Sequence, residues 1–259
     1  MVGRIQHLGS RALPRGWGDW LRQLVLFCGA YYLYRIARGI VDDRVDVAFH
    51  NAREIVAFER TLHLFVEPDV QRLARAHEWL IDFASWMYVN SHFGVTTMAL
   101  AWIYLRRNER FYFVRNMFMV AMGIALVLYV VFPTAPPRFL PDLGFTDSVA
   151  GSTGVRPTSA AEEVLVNPYA AVPSMHVCFA LMLGVSMARM VRRRWAAALW
   201  SAYPVMISWV VIATANHWWT DAVLGAVTAA VAAAFAAGLF ARARPDAWAW
   251  DRAAQPAGA

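Results

Sequence analysis

His217 stands four residues before Asp221 in Asn216-His217-Trp218-Trp219-Thr220-Asp221, the spacing of one helical turn. At that spacing a carboxylate accepts from one imidazole nitrogen and leaves the other as a basic, nucleophilic lone pair. A second histidine, His176, closes the stretch Pro173-Ser174-Met175-His176. Phosphoryl transfer needs an in-line nucleophile, cationic or N–H donors around the equatorial oxygens and a proton for the leaving group. This chain has candidates for each. His217 attacks phosphorus, Asp221 holds its tautomer and His176 protonates the departing oxygen; Arg138, with Arg156, and the Ser174 hydroxyl cradle the phosphate. Taken alone, His217 and Asp221 also fit a helix-start carboxylate capping its neighbour. Their coincidence with Pro-Ser-Met-His and with the preceding Pro136-Pro137-Arg138 favours the chemical reading.

The elements that must carry these residues are apolar. Of 259 residues 59% are hydrophobic and 16% charged, and the mean hydropathy is +0.39, values that exclude an ordinary soluble domain. A helix needs about 20 apolar residues to cross a hydrocarbon core. Six windows approach that length, at 21–40, 79–105, 111–132, 173–191, 195–215 and 218–240, predicting an all-α, six-transmembrane-helix bundle that forms one membrane domain over 1–259. The first window is the weakest, because Arg35 and Arg38 follow a short apolar run. Cys28 and Cys178 lie inside apolar windows, predicting no disulfide and no metal site. His50 and His92, and Asp82 and Asn90 of the second window, read as hydrogen-bonding partners for neighbouring helices.

Every basic residue is arginine, and placement matters more than the net charge of +6. With six spans, the termini and the loops after spans two and four hold fifteen arginines, against seven in the opposite loops, or nine with Arg35 and Arg38. The positive-inside rule therefore predicts a cell-membrane protein with a cytoplasmic N-terminal segment (1–20) and a cytoplasmic tail (241–259). Nucleic acid is not needed to account for the charge. Residues 41–78 become extracytoplasmic interfacial helices, with Ile55, Phe58, Leu62 and Phe65 predicted on one greasy face, Glu67-Pro68 breaking it, and a second short helix through Val70 and Leu73 leading into the second span. Residues 134–172 become an extracytoplasmic active-site loop running into a helix whose first turn contains Pro173. That helix start offers free N–H groups to an anion. Trp218 and Trp219 read as members of an interfacial aromatic belt.

At these residues the chain resembles the type 2 phosphatidic acid phosphatase superfamily, whose second motif reads Pro-Ser-x-His and whose third ends in His followed four residues later by Asp. Ala135-Pro136-Pro137-Arg138, the run from Asn167 to His176 and Asn216 to Asp221 are similar to the inositol phosphotransferase branch, which includes inositol phosphorylceramide synthase. The resemblance implies a phosphohistidine on His217 and a reaction without metal or other cofactor. The chain departs from the general pattern where Val131 and Val211 stand in place of a motif lysine and arginine; Arg138 matches the branch pattern best, and Arg156-Pro157 is an Arg-Pro pair without its preceding base.

The expectation is a membrane phosphatase or phosphotransferase acting on a lipid or polyprenyl phosphate or phosphodiester. Water as acceptor gives a phosphatase, and an alcohol such as inositol or a sugar lipid gives a transferase. A transporter or non-catalytic scaffold would use the same charges as a path instead. The enzyme reading requires the His176 and His217 rings to lie roughly 4 to 8 Å apart, facing one phosphate.

Overall fold

The computed structural model describes residues 13–39, 44–149 and 169–251. Arg156 and most of the 134–172 loop's second half, including Asn167 and Pro168, lie outside the described residues. Among the described residues the chain is all-helical, and strand-like pairing is limited to a parallel bridge between Thr134 and Ala170. The helices are α1 (Gly16–Gly39), α2 (Val45–Thr61), α3 (Glu67–Arg75), α4 (Glu78–Trp86), α5 (His92–Arg106), α6 (Asn108–Val131), α7 (Met175–Met190), α8 (Arg194–Ala213), α9 (Trp219–Phe235) and α10 (Pro245–Trp248). A π-helical turn, Met87–Ser91, joins α4 to α5, and a second, Ala236–Phe240, prolongs α9.

Among the described residues three helices are long and apolar enough to cross a membrane: α6, α8 and Trp219–Ala243; α7 is apolar but shorter. The other two expected spans differ for visible reasons. The first carries Asp19 and Arg22 within its helix, and the second carries Glu78 and Asp82 near its start and the polar run Asn90-Ser91-His92 at its middle.

The central helix is α7, which packs on α5, α6, α8 and α9. Two glycines set its spacing. A Cβ on Gly184 would fall 2.6 Å from the Trp200 carbonyl oxygen, one turn before Pro204 in α8. Proline cannot donate to that carbonyl, so the glycine of α7 settles against a kink-prone, unpaired acceptor. On the other side, a Cβ on Gly225 of α9 would fall 2.4 Å from the Ser174 carbonyl oxygen. The start of α7 and the start of α9 are thereby in backbone contact. Around them Phe118, Leu183, Ile103 and Val114 fill the main core.

The segment before the bundle caps it. In α2 the inward face is Ala48, Asn51, Ala52, Ile55, Val56 and Glu59, while Phe58 and Leu62 are exposed. The predicted greasy face was thus partly the outer one, because close packing over a backbone favours alanine: Ala135 N–H donates to the Ala48 carbonyl, and the Asn51 amide donates to the Pro133 carbonyl. The second short helix is α3, through Val70 and Leu73, and Glu67 and Pro68 form its first turn, where proline forfeits no hydrogen bond. The reversal lies earlier, at His63, whose φ is 57°.

Candidate active site

Two helix starts and one loop meet at a single end of the bundle. Ser174, not Pro173, is the N-cap of α7; its Oγ accepts from the Val177 N–H at 3.5 Å, and proline is displaced one residue upstream. Ser174 N–H donates to the Asp221 carbonyl at 3.0 Å, so the two helix starts share a hydrogen bond besides the glycine contact. Asp221 is the third residue of α9 and is fully buried; its Oδ2 accepts from the Trp218 N–H at 3.0 Å, a cap that satisfies one orphan donor. The same Oδ2 lies 3.3 Å from His217 Nδ1. His217 therefore precedes the helix instead of stacking one turn above Asp221. The carboxylate caps the helix and binds the imidazole at once, and Nε2 is left as the ring's second functional nitrogen.

The turn that presents His217 is strained and pinned. Ala215, a buried non-glycine residue, has φ of 54°, and the Asn216 and His217 N–H groups both return to the Val211 carbonyl. The Asn216 amide donates to Thr214 Oγ1, and its oxygen accepts from Arg138. Arg138 is held a second time by its own N–H, which donates to the Ala215 carbonyl at 2.9 Å. Its guanidinium also faces Asp147 at 3.8 Å. The loop and the His217 turn are thus one hydrogen-bonded unit.

His176, in the first turn of α7, brings its ring centroid to 5.8 Å from that of His217, inside the separation the chemistry requires. Its surroundings were not read from sequence. The Tyr88 ring stacks on it at 4.4 Å and the His92 ring lies 4.9 Å away. Tyr88 and His92 are four apart across the π turn, a distortion that recurs at functional sites. His92 does bond a neighbouring helix, through Nδ1 to Tyr203 Oη at 3.0 Å, but its buried Nε2 has no protein partner. The i, i+4 pair of rings was the available signal.

Glu59 and Glu67 are a second feature the sequence did not single out. Both are fully buried. Glu59 Oε1 accepts from the Thr220 N–H and hydroxyl, and Glu67 Oε1 accepts from the Trp219 N–H at 2.9 Å. Two carboxylates from α2 and α3 therefore cap the first turn of α9, the helix that positions Asp221, and the positive end of its dipole favours them. Burial, reinforced by the charge of Glu67, raises the Glu59 carboxyl to about 8. Burial also raises Glu67. One proton on the pair relieves the repulsion between like charges.

Trp218 departs from the expected aromatic belt. It is fully buried between Phe65 and Phe145, and its indole N–H donates to the Ala135 carbonyl at 3.1 Å. A buried indole needs an acceptor, and the Pro-Pro-Arg loop supplies one. Of the residues singled out from the sequence, His176, His217, Asp221 and Ser174 converge, and Arg138 joins them through Asn216; Arg156 is outside the described residues. Among the described residues no cluster of three histidine, cysteine or acidic side chains is arranged to hold a metal.

Fold and site together define a class: all-helical proteins with helices apolar enough for a membrane, in which an aspartate-bound imidazole faces a second histidine across a phosphate-sized gap. A family model described as PAP2 superfamily matches residues 53–235, from the middle of α2 to the end of α9, and the chain belongs to that superfamily. Membership suggests a phosphatase-type enzyme acting on a phosphate ester in a membrane. No curated protein and no solved structure matches the chain.

Proposed function

We propose that this chain is a six-span membrane phosphatase or phosphotransferase that cleaves a lipid or polyprenyl phosphate or phosphodiester through a phosphohistidine on His217. The observation that carries the reading is the 5.8 Å approach of the His176 and His217 rings, with His217 Nδ1 engaged by Asp221. His217 Nε2 forms the bond to phosphorus in line with the departing oxygen. The P–O bond to the lipid breaks, and His176 delivers a proton to that oxygen. His176, now neutral, takes a proton from the acceptor hydroxyl as it attacks the phosphohistidine, and the N–P bond breaks to regenerate His217. Asp221 holds the Nδ1 proton toward itself throughout and stabilises the cationic ring.

Arg138 and the N–H groups at the start of α7, shaped by Ser174, receive the equatorial oxygens, and Arg156 joins them from the loop. The Asp147 carboxylate, 3.8 Å from the Arg138 guanidinium, is the group with which a phosphate competes for it. The whole chain forms one membrane domain, with both termini cytoplasmic and residues 41–78 and 134–172 on the extracytoplasmic side; the arginine distribution supports that orientation. The test is to incubate purified protein with a panel of labelled lipid phosphates and phosphodiesters, with and without added alcohols. Release of inorganic phosphate or transfer of the label supports the reading, and inertness toward every member, with His217→Ala indistinguishable from wild type, overturns it.

A further inference from the structure

A cavity of about 470 Å³ opens at the other end of the bundle, between α1, the start of α6 and the chain that leaves α9. From Asp221 to Phe240 at its wall the helix runs roughly 28 Å at 1.5 Å per residue, so this cavity is remote from the histidines. Among the described residues four arginines line it, Arg15, Arg22, Arg115 and Arg244, against a single carboxylate, Asp19. That carboxylate is already engaged: the Tyr112 and Tyr104 hydroxyls donate to it at 2.6 and 3.0 Å, and the Gln23 amide donates at 3.1 Å.

Arg115 is the informative residue. It is only 9% exposed, and the acceptors its guanidinium reaches are neutral amide oxygens, Gln23 Oε1 at 2.9 Å and Asn116 Oδ1 at 2.8 Å. A buried guanidinium without a directly bonded carboxylate is costly unless an anion arrives. Asn116, 5% exposed and also lining the cavity, spends its amide oxygen on Arg115 and so brings no negative charge to it. Surplus donors and positive charge specify an anion with several oxygens. Leu26, Met119 and Phe240 add apolar wall beside the arginines, which suits the upper part of an acyl chain.

We infer that this cavity is a binding site for a phosphate group, carried by an anionic phospholipid whose headgroup sits among Arg15, Arg22, Arg115 and Arg244 and whose glycerol end lies along Leu26, Met119 and Phe240. Basic pockets between helices bind such headgroups by the same chemistry. The inference does not depend on the phosphohistidine reading or on membrane orientation.

The test uses full-length protein carrying His217→Ala, so that turnover is absent, in a neutral detergent. Short-chain phosphatidylglycerol, short-chain phosphatidylcholine and inorganic phosphate are titrated separately by calorimetry, with fluorescence as a second readout because Trp248 lines the cavity. Phosphatidylglycerol is expected to bind at least tenfold more tightly than phosphatidylcholine, and Arg244→Gln, a change at an exposed position that leaves the fold intact, to weaken it about tenfold. Arg115→Gln should weaken it further, and melting curves identify any loss due to unfolding. Inorganic phosphate binding as tightly as the lipid would overturn the lipid as occupant. Equal affinity for both lipids, or an Arg244→Gln protein that binds like its parent, would overturn the site.

Discussion

Replacing Gly225 with alanine tests whether backbone contact between α7 and α9 sets the catalytic distance. The added Cβ would lie 2.4 Å from the Ser174 carbonyl oxygen, 3.3 Å from its carbon and 3.4 Å from Cys178 N, whereas ordinary contacts begin at 3.4 Å. All three neighbours are backbone, and the Ser174 carbonyl is fixed by the Cys178 N–H at 3.0 Å, so no side chain can swing aside. The helices must separate by about 1 Å, a misplacement that costs on the order of 100-fold in rate. That is about 2.7 kcal/mol of transition-state stabilisation. Because Ser174 precedes His176 by two residues and Asp221 precedes Gly225 by one turn, the separation falls directly on the two histidines. The assay is kcat and KM on a phosphate ester for Gly225→Ala, Gly184→Ala and Gly123→Ala, each normalised to folded protein. Gly123 has open space around its Cβ direction and should be neutral. Gly184→Ala clashes with Trp200 away from the site, and should lower the melting temperature while leaving kcat nearly intact. A Gly225→Ala enzyme within threefold of wild-type kcat, or a Gly184→Ala enzyme losing as much, would refute the reasoning.

The two histidines should differ in what rescues them. His176→Ala is expected to lose roughly 100- to 10,000-fold on a lipid phosphate but to regain at least tenfold on an aryl phosphate, whose leaving group needs little protonation; His217→Ala should stay inactive on both, and the reverse pattern exchanges their roles. Glu59 gives a pH signature. Its folded-state carboxyl is raised to about 8 from 4.5, so its contribution to stability is complete below about 4.5 and drains away as pH rises through about 8. Glu59→Gln keeps the acceptor for Thr220 without the titration, and its melting temperature should fall less than that of wild type between about pH 4.5 and 8; parallel curves would show that the pair does not titrate there. A cysteine in place of Asp142, an exposed position of the loop, should react with an impermeant reagent from outside intact cells and one near Arg193 should not; the opposite pattern reverses the orientation.

Much of the site was legible because its residues occupy short local motifs. His176, Ser174, His217 and Asp221 each belong to a segment whose helix start can be recognised from sequence, and the approach of the two rings follows from α7 and α9 beginning at one end of the bundle. The rest depended on contacts between distant segments. Glu59 and Glu67 look like ordinary surface acids of amphipathic helices until α2 and α3 fold over the start of α9, 161 and 152 residues away respectively. Trp218 reads as an interfacial tryptophan until the Ala135 carbonyl appears beside its indole. The π turn inside the second apolar window is a local backbone choice, five residues long, that composition does not signal, and with it comes the placement of Tyr88 and His92 beside His176. Apolar windows also average over local detail: the charges of α1 and the polar positions near the start of α4 show only residue by residue.

The central claim is that His217 carries the phosphoryl group, and trapping that group is the most direct test. Protein turning over a ³²P-labelled lipid phosphate is quenched in alkali, where a phosphoramidate survives and an acyl phosphate does not, then digested and mapped by mass spectrometry. The account predicts a label that is stable to alkali, lost in acid, and confined to the peptide containing His217, with none in His217→Ala. A label on His176 or Ser174, or full turnover by His217→Ala, would contradict it.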